Sequence, residues 1–126
     1  MKYLIDTQIL IWHYEGNRLM PSKYIPIIEN EMNTLYISVA SFWEMAIKIL
    51  NGKMELSNTL DNWIEQVKAD DIEILLVEPF HVLQTMSLPL HHKDPFDRII
   101  IAQAMAENLI LMSSDHIFRQ YPVTLL

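Results

Sequence analysis

Residues 91–106 read HHKDPFDRIIIAQAMA, so that two aspartates stand directly before an almost uninterrupted apolar segment. Asp94, followed by a proline, is typical of a helix N-cap with proline at the first helical position. Asp97 then falls in the first turn, and Gln103 is the one polar residue among those after Arg98. This pattern predicts a helix that protein covers on most faces. A carboxylate at the N-terminus of such a helix either faces a crevice or adds the free-energy cost of a buried charge.

The length and composition indicate a compact globular protein. A chain of 126 residues fits a single domain, residues 1–126, and 51% hydrophobic residues with only two glycines exclude a disordered chain. The apolar runs are too short to cross a bilayer, and the N-terminus MKYLID has no signal-peptide cleavage site. We therefore expect a soluble, cytoplasmic protein without membrane association.

The absence of cysteine and the acidic charge restrict the chemistry. Without cysteine there is no disulfide, thiolate metal site or cysteine nucleophile, so any metal must bind to oxygen or histidine. A net charge of −7 argues against nucleic-acid binding through a broad basic surface. However, an acidic cluster that binds divalent cations reverses its charge locally. Four such carboxylates would account for more than half of the excess.

Strand-like and helix-like segments alternate along the chain. Buried strands are predicted at Lys2–Ile5, Thr34–Ile37, Ile72–Val77 and Leu109–Met112, with a last strand at Pro122–Leu125. Helices are predicted at Gln8–Tyr14, Pro21–Met32, Ser41–Leu50, Leu56–Lys68 and Pro79–Ser87, and from Pro95 to Ala106. Such alternation is typical of a parallel sheet with helices on both faces. We therefore predict an α/β fold, a three-layer α/β/α sandwich with a mostly parallel central sheet.

Acidic residues stand at the ends of these elements. Asp6 directly follows the first strand, and Asp115 follows the fourth after two serines. In an open α/β sheet, the carboxyl ends of the strands border the crevice where ligands bind. Asp97 opens the helix before the fourth strand, and Glu44 lies in the helix after the second. Whether these two reach the same edge depends on strand order, which the spacing leaves open.

If the acids meet, like charges share one pocket and must be protonated or bridged by cations. An all-oxygen site without thiolate favours Mg²⁺ or Mn²⁺. A site of this kind can hold a phosphodiester, activate a water molecule and stabilise the leaving oxygen.

Four segments together resemble a known family. They are LIDTQILIW (4–12), ISVASFWEMAIK (37–48), LPLHHKDPFDRIIIAQA (88–104) and LILMSSDHIFRQY (109–121). In this order and at these spacings they resemble PIN-domain proteins of the VapC type, the toxins of bacterial and archaeal toxin–antitoxin pairs. The resemblance covers nearly the full chain. It implies a metal-dependent endoribonuclease that is usually dimeric and is neutralised by a small antitoxin, whose C-terminal segment wraps the toxin and blocks its site.

The resemblance assigns the catalytic and metal-binding roles to four acids, namely Asp6, Glu44, Asp97 and Asp115. Thr7 and Ser114 stand beside the first and last of them, and either hydroxyl could orient a carboxylate or a metal-bound water. Asp94 also matches the motif, although helix capping explains it without chemistry.

Each acid also has a purely structural interpretation. Asp97 could be a favourable charge at a helix N-terminus, and Asp6 and Asp115 could each cap the helical segment that follows. Glu44 could complete a capping box with Ser41, whereas a helix that starts at the preceding serine would remove it from the cap.

Other polar residues lie close to the acidic motifs. His91 and His92 could be metal ligands or a general base, but adjacent residues do not share a face and a loop position is the simpler interpretation. Four basic residues could contact phosphates or antitoxin carboxylates, with solvated surface as the default: Lys48, Lys93, Arg98 and Arg119.

The leading hypothesis is hydrolysis of RNA by a metal-activated water, which the resemblance implies should leave a 5′-phosphate. Two non-catalytic alternatives are a magnesium-binding regulatory module and an RNA- or protein-binding PIN relative. A regulatory module of the phosphoacceptor kind requires two adjacent acidic residues after the first strand and a lysine after a late strand. Here the first strand ends in Asp6 alone and the fourth leads to SSD (113–115). The intact acidic set disfavours a binding-only relative.

Overall fold

The computed structural model describes the whole chain, from Met1 to Leu126. A parallel four-stranded sheet forms its centre. The strands are β1 (Lys2–Ile5), β2 (Thr34–Ser38), β3 (Glu73–Leu75) and β4 (Ile110–Met112), and they lie in the order β3-β2-β1-β4. All three neighbouring pairs are parallel, so each connection has to cross back over a face of the sheet.

Six α-helices make these connections. They are α1 (Thr7–Glu15), α2 (Ile25–Glu29), α3 (Val39–Leu50), α4 (Leu60–Ala69), α5 (Pro79–Met86) and α6 (Pro95–Ala106), and short 3₁₀ turns span Ser22–Tyr24 and His116–Gln120. None of the helices combines the length and the apolar composition needed to span a bilayer.

Two hydrophobic cores cover the two faces of the sheet. Side chains alternate along β1, so Ile5 packs with α1, α3 and α4 on one face, while Leu4 packs with α6 on the other. Both side chains are fully buried. The predicted three-layer α/β/α sandwich with a parallel sheet is confirmed.

The single helix predicted over Pro21–Met32 is wrong. A 3₁₀ turn and the five-residue helix α2 stand in its place. Pro26 explains the break, because proline has no N–H to donate and its ring clashes with the carbonyl four residues back. It is accommodated in the first turn of α2, where the missing N–H is not needed.

The last predicted strand, Pro122–Leu125, is also wrong. A single parallel bridge joins Leu125 to Leu111, with the Leu111 amide donating to the carbonyl of Thr124 at 2.8 Å. Since Pro122 cannot donate to a ladder, only the end of the segment reaches the edge strand β4.

Helix α4 starts later than the pattern predicted. Its N-cap is Thr59, and its first residue is Leu60 rather than Leu56. The amide and hydroxyl of Ser57 donate to Oε1 of Glu15, at 2.9 and 2.8 Å.

A buried histidine fixes the far end of α6. His81 is fully buried, and its Nδ1 accepts a hydrogen bond from the Glu78 amide at 2.9 Å. The Nε2 atom must therefore carry the proton, which it donates to Oε1 of Glu107 at 2.9 Å. This contact ties the start of α5 to the end of α6, so that α6 is held at the end opposite its acids.

Candidate active site

The strand order brings all four predicted acids to one edge of the sheet. Asp6 follows β1 at the centre, and Asp115 lies beyond the adjacent strand β4. Helix α6 precedes β4 and runs back across the sheet, so its N-terminus with Asp97 lies at the same carboxyl edge. Glu44 is in the second turn of α3, which starts directly after β2.

These acids line a single pocket of about 370 Å³. Every residue of the predicted acidic and hydroxyl set lines it: Asp6, Thr7, Glu44, Asp94, Asp97, Ser114 and Asp115. The pocket also contains Lys48, and Trp12 and Phe118 contribute apolar walls. Five carboxylates thus face one lysine.

Asp6 is the most deeply buried of these acids, with 6% of the residue exposed. It caps α1 by accepting a hydrogen bond from the Ile9 amide at 2.9 Å, and its second oxygen accepts one from the Ser113 hydroxyl. Burial raises the pKa of Asp6 to about 6; the two hydrogen bonds oppose this increase, and the carboxylates of Asp97 and Asp115 add to it. Its charged form is therefore costly until a cation balances it.

Asp97 has a similar electrostatic environment. Burial raises the pKa of Asp97 to about 6. A hydrogen bond from His92 opposes the increase, whereas the negative charges of Asp94 and Glu44 add to it. The His92 Nε2 lies 3.1 Å from Oδ2 of Asp97.

The two aspartates of the DPFD motif have different hydrogen-bond partners. Asp94 caps α6 as predicted, with its Oδ1 accepting from the amides of Phe96 at 2.9 Å and Asp97 at 3.2 Å. It also lines the pocket. Capping leaves Asp97 as the member whose carboxylate is not used by its own helix.

Glu44 does not belong to a capping box. Ser38 caps α3 by accepting from the Ala40 amide at 3.0 Å, which places Glu44 beyond the first turn. Its carboxylate pairs with the Lys48 ammonium at 3.0 Å. Lys48 therefore supplies the pocket's positive charge, at a position that follows from i,i+4 spacing on a helix.

The hydroxyl groups differ from the prediction in one respect. Thr7 donates to the Ser41 hydroxyl at 2.8 Å, and Ser114 lines the pocket. The hydroxyl that contacts an acid is that of Ser113, which also accepts from the Asp115 amide at 3.1 Å. Sequence reasoning missed it, although Ser113 directly follows β4 and so stands level with the end of β1.

Asp115 is both a cap of a helical turn and a residue of the pocket. It caps the 3₁₀ turn by accepting from the Ile117 amide at 3.1 Å, and it lines the pocket. By contrast, the Arg98 guanidinium turns to backbone carbonyls, at 2.8 Å from Pro89 and 3.0 Å from Thr85.

The donor set fits a hard divalent cation in its chemistry, since it consists of carboxylate oxygens with an excess of negative charge. No three acidic or histidine side chains are close enough together to hold an ion as they stand. Each of three carboxylates is instead held by a protein donor: Asp6 by Ser113, Asp97 by His92 and Glu44 by Lys48. A cation that enters the pocket would bind the lone pairs of these carboxylates that the protein donors leave free.

Comparison with solved structures shows the same fold in toxin–antitoxin proteins. VapBC2 from Rickettsia felis, solved with a DNA fragment from its promoter, matches with a TM-score of 0.75 at 19% identity, over 100% of this chain and 98% of that chain. DNA-bound VapBC from Salmonella typhimurium matches with 0.66 at 14%, over 100% and 97%. A toxin–antitoxin complex from Klebsiella pneumoniae matches with 0.65 at 20%, over 98% and 95%.

Sequence comparison identifies the family. None of the curated proteins matches this sequence. The family model of the PIN domain matches residues 3–123, which is nearly the whole chain. The chain therefore belongs to the PIN domain family.

Proposed function

We propose that this chain is a metal-dependent endoribonuclease that acts as a VapC-type toxin in the cytoplasm. The observation that carries the proposal is the pocket at the carboxyl edge, which is lined by Asp6, Glu44, Asp97 and Asp115 together with a single lysine. Membership of the PIN domain family supports nuclease chemistry. The fold shared with toxin–antitoxin structures supports the toxin role.

In this proposal the four acids bind Mg²⁺ or Mn²⁺. A divalent cation supplies an activated water for in-line attack and stabilises negative charge on the phosphoryl oxygens. Asp6, buried at the end of β1 and held by Ser113, provides a rigid carboxylate at the floor of the pocket. Asp97 provides a second carboxylate that lines the pocket. Attack by water leaves a 5′-phosphate.

Lys48 has a separate role in the proposed site. Its side chain is 44% exposed while its ammonium contacts Glu44. An ammonium on a flexible stem at the mouth of the pocket can move from Glu44 to a substrate phosphate when a cation binds the carboxylate. Lys48 would thus provide positive charge for binding a phosphate in an otherwise acidic pocket.

The test is cleavage of mixed cellular RNA by the purified chain. We expect fragments to form with Mg²⁺ or Mn²⁺, to disappear when EDTA is added, and to return when the cation is restored. Fragments that form equally well in EDTA would contradict the metal dependence. Binding of RNA without any cleavage in either cation would favour the non-catalytic alternative.

We further propose two protein partners, a cognate antitoxin and a second copy of this chain. The antitoxin is supported by the complexes that share the fold. The second copy is assigned to the solvent face of α5, on which four large apolar side chains are at least half exposed: Phe80, Val82, Leu83 and Met86. A contiguous exposed apolar face of this kind is unusual on a monomer.

Light scattering on the purified chain tests the second partner. We expect a dimer, and we expect Leu83→Glu to give a monomer because a buried charge opposes the contact. Leu19→Glu is the matched control, since Leu19 is 69% exposed and Leu83 is 65% exposed. A monomeric unmutated chain, or a dimer that survives Leu83→Glu, would contradict the assignment.

A further inference from the structure

A tyrosine hydroxyl is connected to Asp97 through the ring of His92. Tyr121 is 4% exposed and packs in the core beneath α6. Its hydroxyl lies 2.6 Å from Nδ1 of His92, and the other ring nitrogen of His92, Nε2, lies 3.1 Å from Oδ2 of Asp97. The chain thus links a core tyrosine to a pocket carboxylate through one imidazole ring.

The surrounding donors determine where the protons lie. The Tyr121 oxygen accepts from the Arg98 guanidinium at 3.3 Å and from the backbone amide of His92 at 3.3 Å. Both of these groups can only donate. The phenolic proton therefore goes to Nδ1 of His92, which leaves the ring proton on Nε2, directed at Asp97.

Arg98 fixes the tyrosine end of this chain. Its guanidinium also donates to the carbonyl of Thr85 in the last turn of α5 at 3.0 Å, and to those of Leu88 at 3.4 Å and Pro89 at 2.8 Å in the loop that follows. A planar group with this many partners has little freedom to turn. The hydroxyl of Tyr121 thereby has a fixed donor on one side and the imidazole on the other.

We propose that His92 and Tyr121 are positioning residues for Asp97. Tyr121 holds His92 in the Nε2–H tautomer, and His92 holds Oδ2 of Asp97. Oδ1 of Asp97 has no hydrogen-bond partner in the chain and is the atom left for a cation in the pocket. The inference rests on the proposed function in one respect, which is that Asp97 binds a cation.

The tautomer of His92 is the first test. In the metal-free protein at about pH 8, the ¹⁵N chemical shifts of the imidazole nitrogens distinguish the two tautomers. We expect the Nε2–H form in the unmutated chain and a loss of that preference in Tyr121→Phe, which keeps the buried ring. Tyr14→Phe is the matched control, because it removes a hydroxyl that contacts Asp70 far from the pocket. An Nδ1–H form, or a tautomer unchanged in Tyr121→Phe, would overturn the proposal.

Binding of Mn²⁺ is the second test and is independent of RNA cleavage. Loss of a group that orients a metal ligand weakens binding by about 10–100-fold. We expect about tenfold weaker affinity in Tyr121→Phe, a larger loss in His92→Leu, and partial recovery in His92→Gln, which keeps a donor. Unchanged affinity in both Tyr121→Phe and His92→Leu would overturn the positioning role.

The two tests separate this inference from the proposed function. If the unmutated chain bound no Mn²⁺, the proposed metal site would be wrong. The claim that His92 and Tyr121 position Asp97 for a cation would then also be wrong. The tautomer measurement would still decide whether Tyr121 controls the tautomer of His92.

Discussion

RNA cleavage by Asp6→Asn is expected to fall by at least about hundredfold, because a bound cation contributes several kcal/mol of transition-state stabilisation and each 1.36 kcal/mol is tenfold in rate. An amide at this position is a poor ligand for a hard cation. Initial rates on a labelled RNA at saturating Mg²⁺ measure the effect. Asp61→Asn is the control, because Asp61 is fully exposed in the first turn of α4.

The fold of Asp6→Asn should survive the change. An asparagine oxygen can accept from the Ile9 amide as the carboxylate does, since asparagine is an equally good helix N-cap. Its amide nitrogen can donate to the Ser113 hydroxyl in place of accepting from it. A far-UV circular dichroism spectrum like that of the unmutated chain checks this. Cleavage at the unmutated rate would show that Asp6 has no part in the site.

Asp6→Asn is also expected to stabilise the metal-free protein at neutral pH. Burial raises the pKa of Asp6 from 3.8 to about 6. A carboxyl group whose pKa is raised by folding favours the folded state below its unfolded pKa and loses that contribution as the pH rises through the folded value. The increase corresponds to about 3 kcal/mol in the free energy of unfolding. The gain from Asp6→Asn should therefore be near zero below about pH 3 and approach about 3 kcal/mol above about pH 7.

Urea unfolding of both proteins across this pH range, in EDTA, measures the difference. The pKa of Asp97 is raised in the same direction, so the unmutated chain should lose further stability over the same window. This second contribution is smaller in energy because Asp97 is only partly buried and solvent screens it. If the stability gain from Asp6→Asn were the same at both ends of the range, ionisation of the buried Asp6 carboxyl would not be its cause.

The acids of the pocket carry negative charge that is unfavourable to folding in the absence of a cation. At neutral pH the ionised carboxylates of Asp6 and Asp97 reduce the stability of the metal-free chain, and a cation bound in the pocket would offset this cost. Sites built for binding commonly reduce stability in this way.

Much of the site could be predicted because its parts are local in sequence. Asp94 precedes Pro95 and a long apolar run, so its capping role followed from helix chemistry alone. Asp6 directly follows a short buried strand, and this placed it at the carboxyl edge. The same local reasoning predicted the four strands of the sheet and the layered architecture.

Other parts depend on contacts between distant residues. The order β3-β2-β1-β4 decides that Glu44 and Asp97 line the same pocket as Asp6, and no spacing along the chain encodes that order. Ser113 meets Asp6 across 107 positions, and His92 meets Tyr121 across 29. A hydroxyl or an imidazole carries no sequence signal for such a partner until the fold brings the two together.

The most direct test of the proposed metal site is a calorimetric titration of the metal-free chain with Mn²⁺ at about pH 7.5. The unmutated protein and Asp6→Asn are compared. We expect saturable binding to the unmutated chain and at least about tenfold weaker binding to Asp6→Asn, in the range expected for loss of a group at a metal site. Equal affinity in the two proteins, or RNA cleavage by a chain that binds no Mn²⁺ or Mg²⁺, would contradict a metal-dependent nuclease built on Asp6.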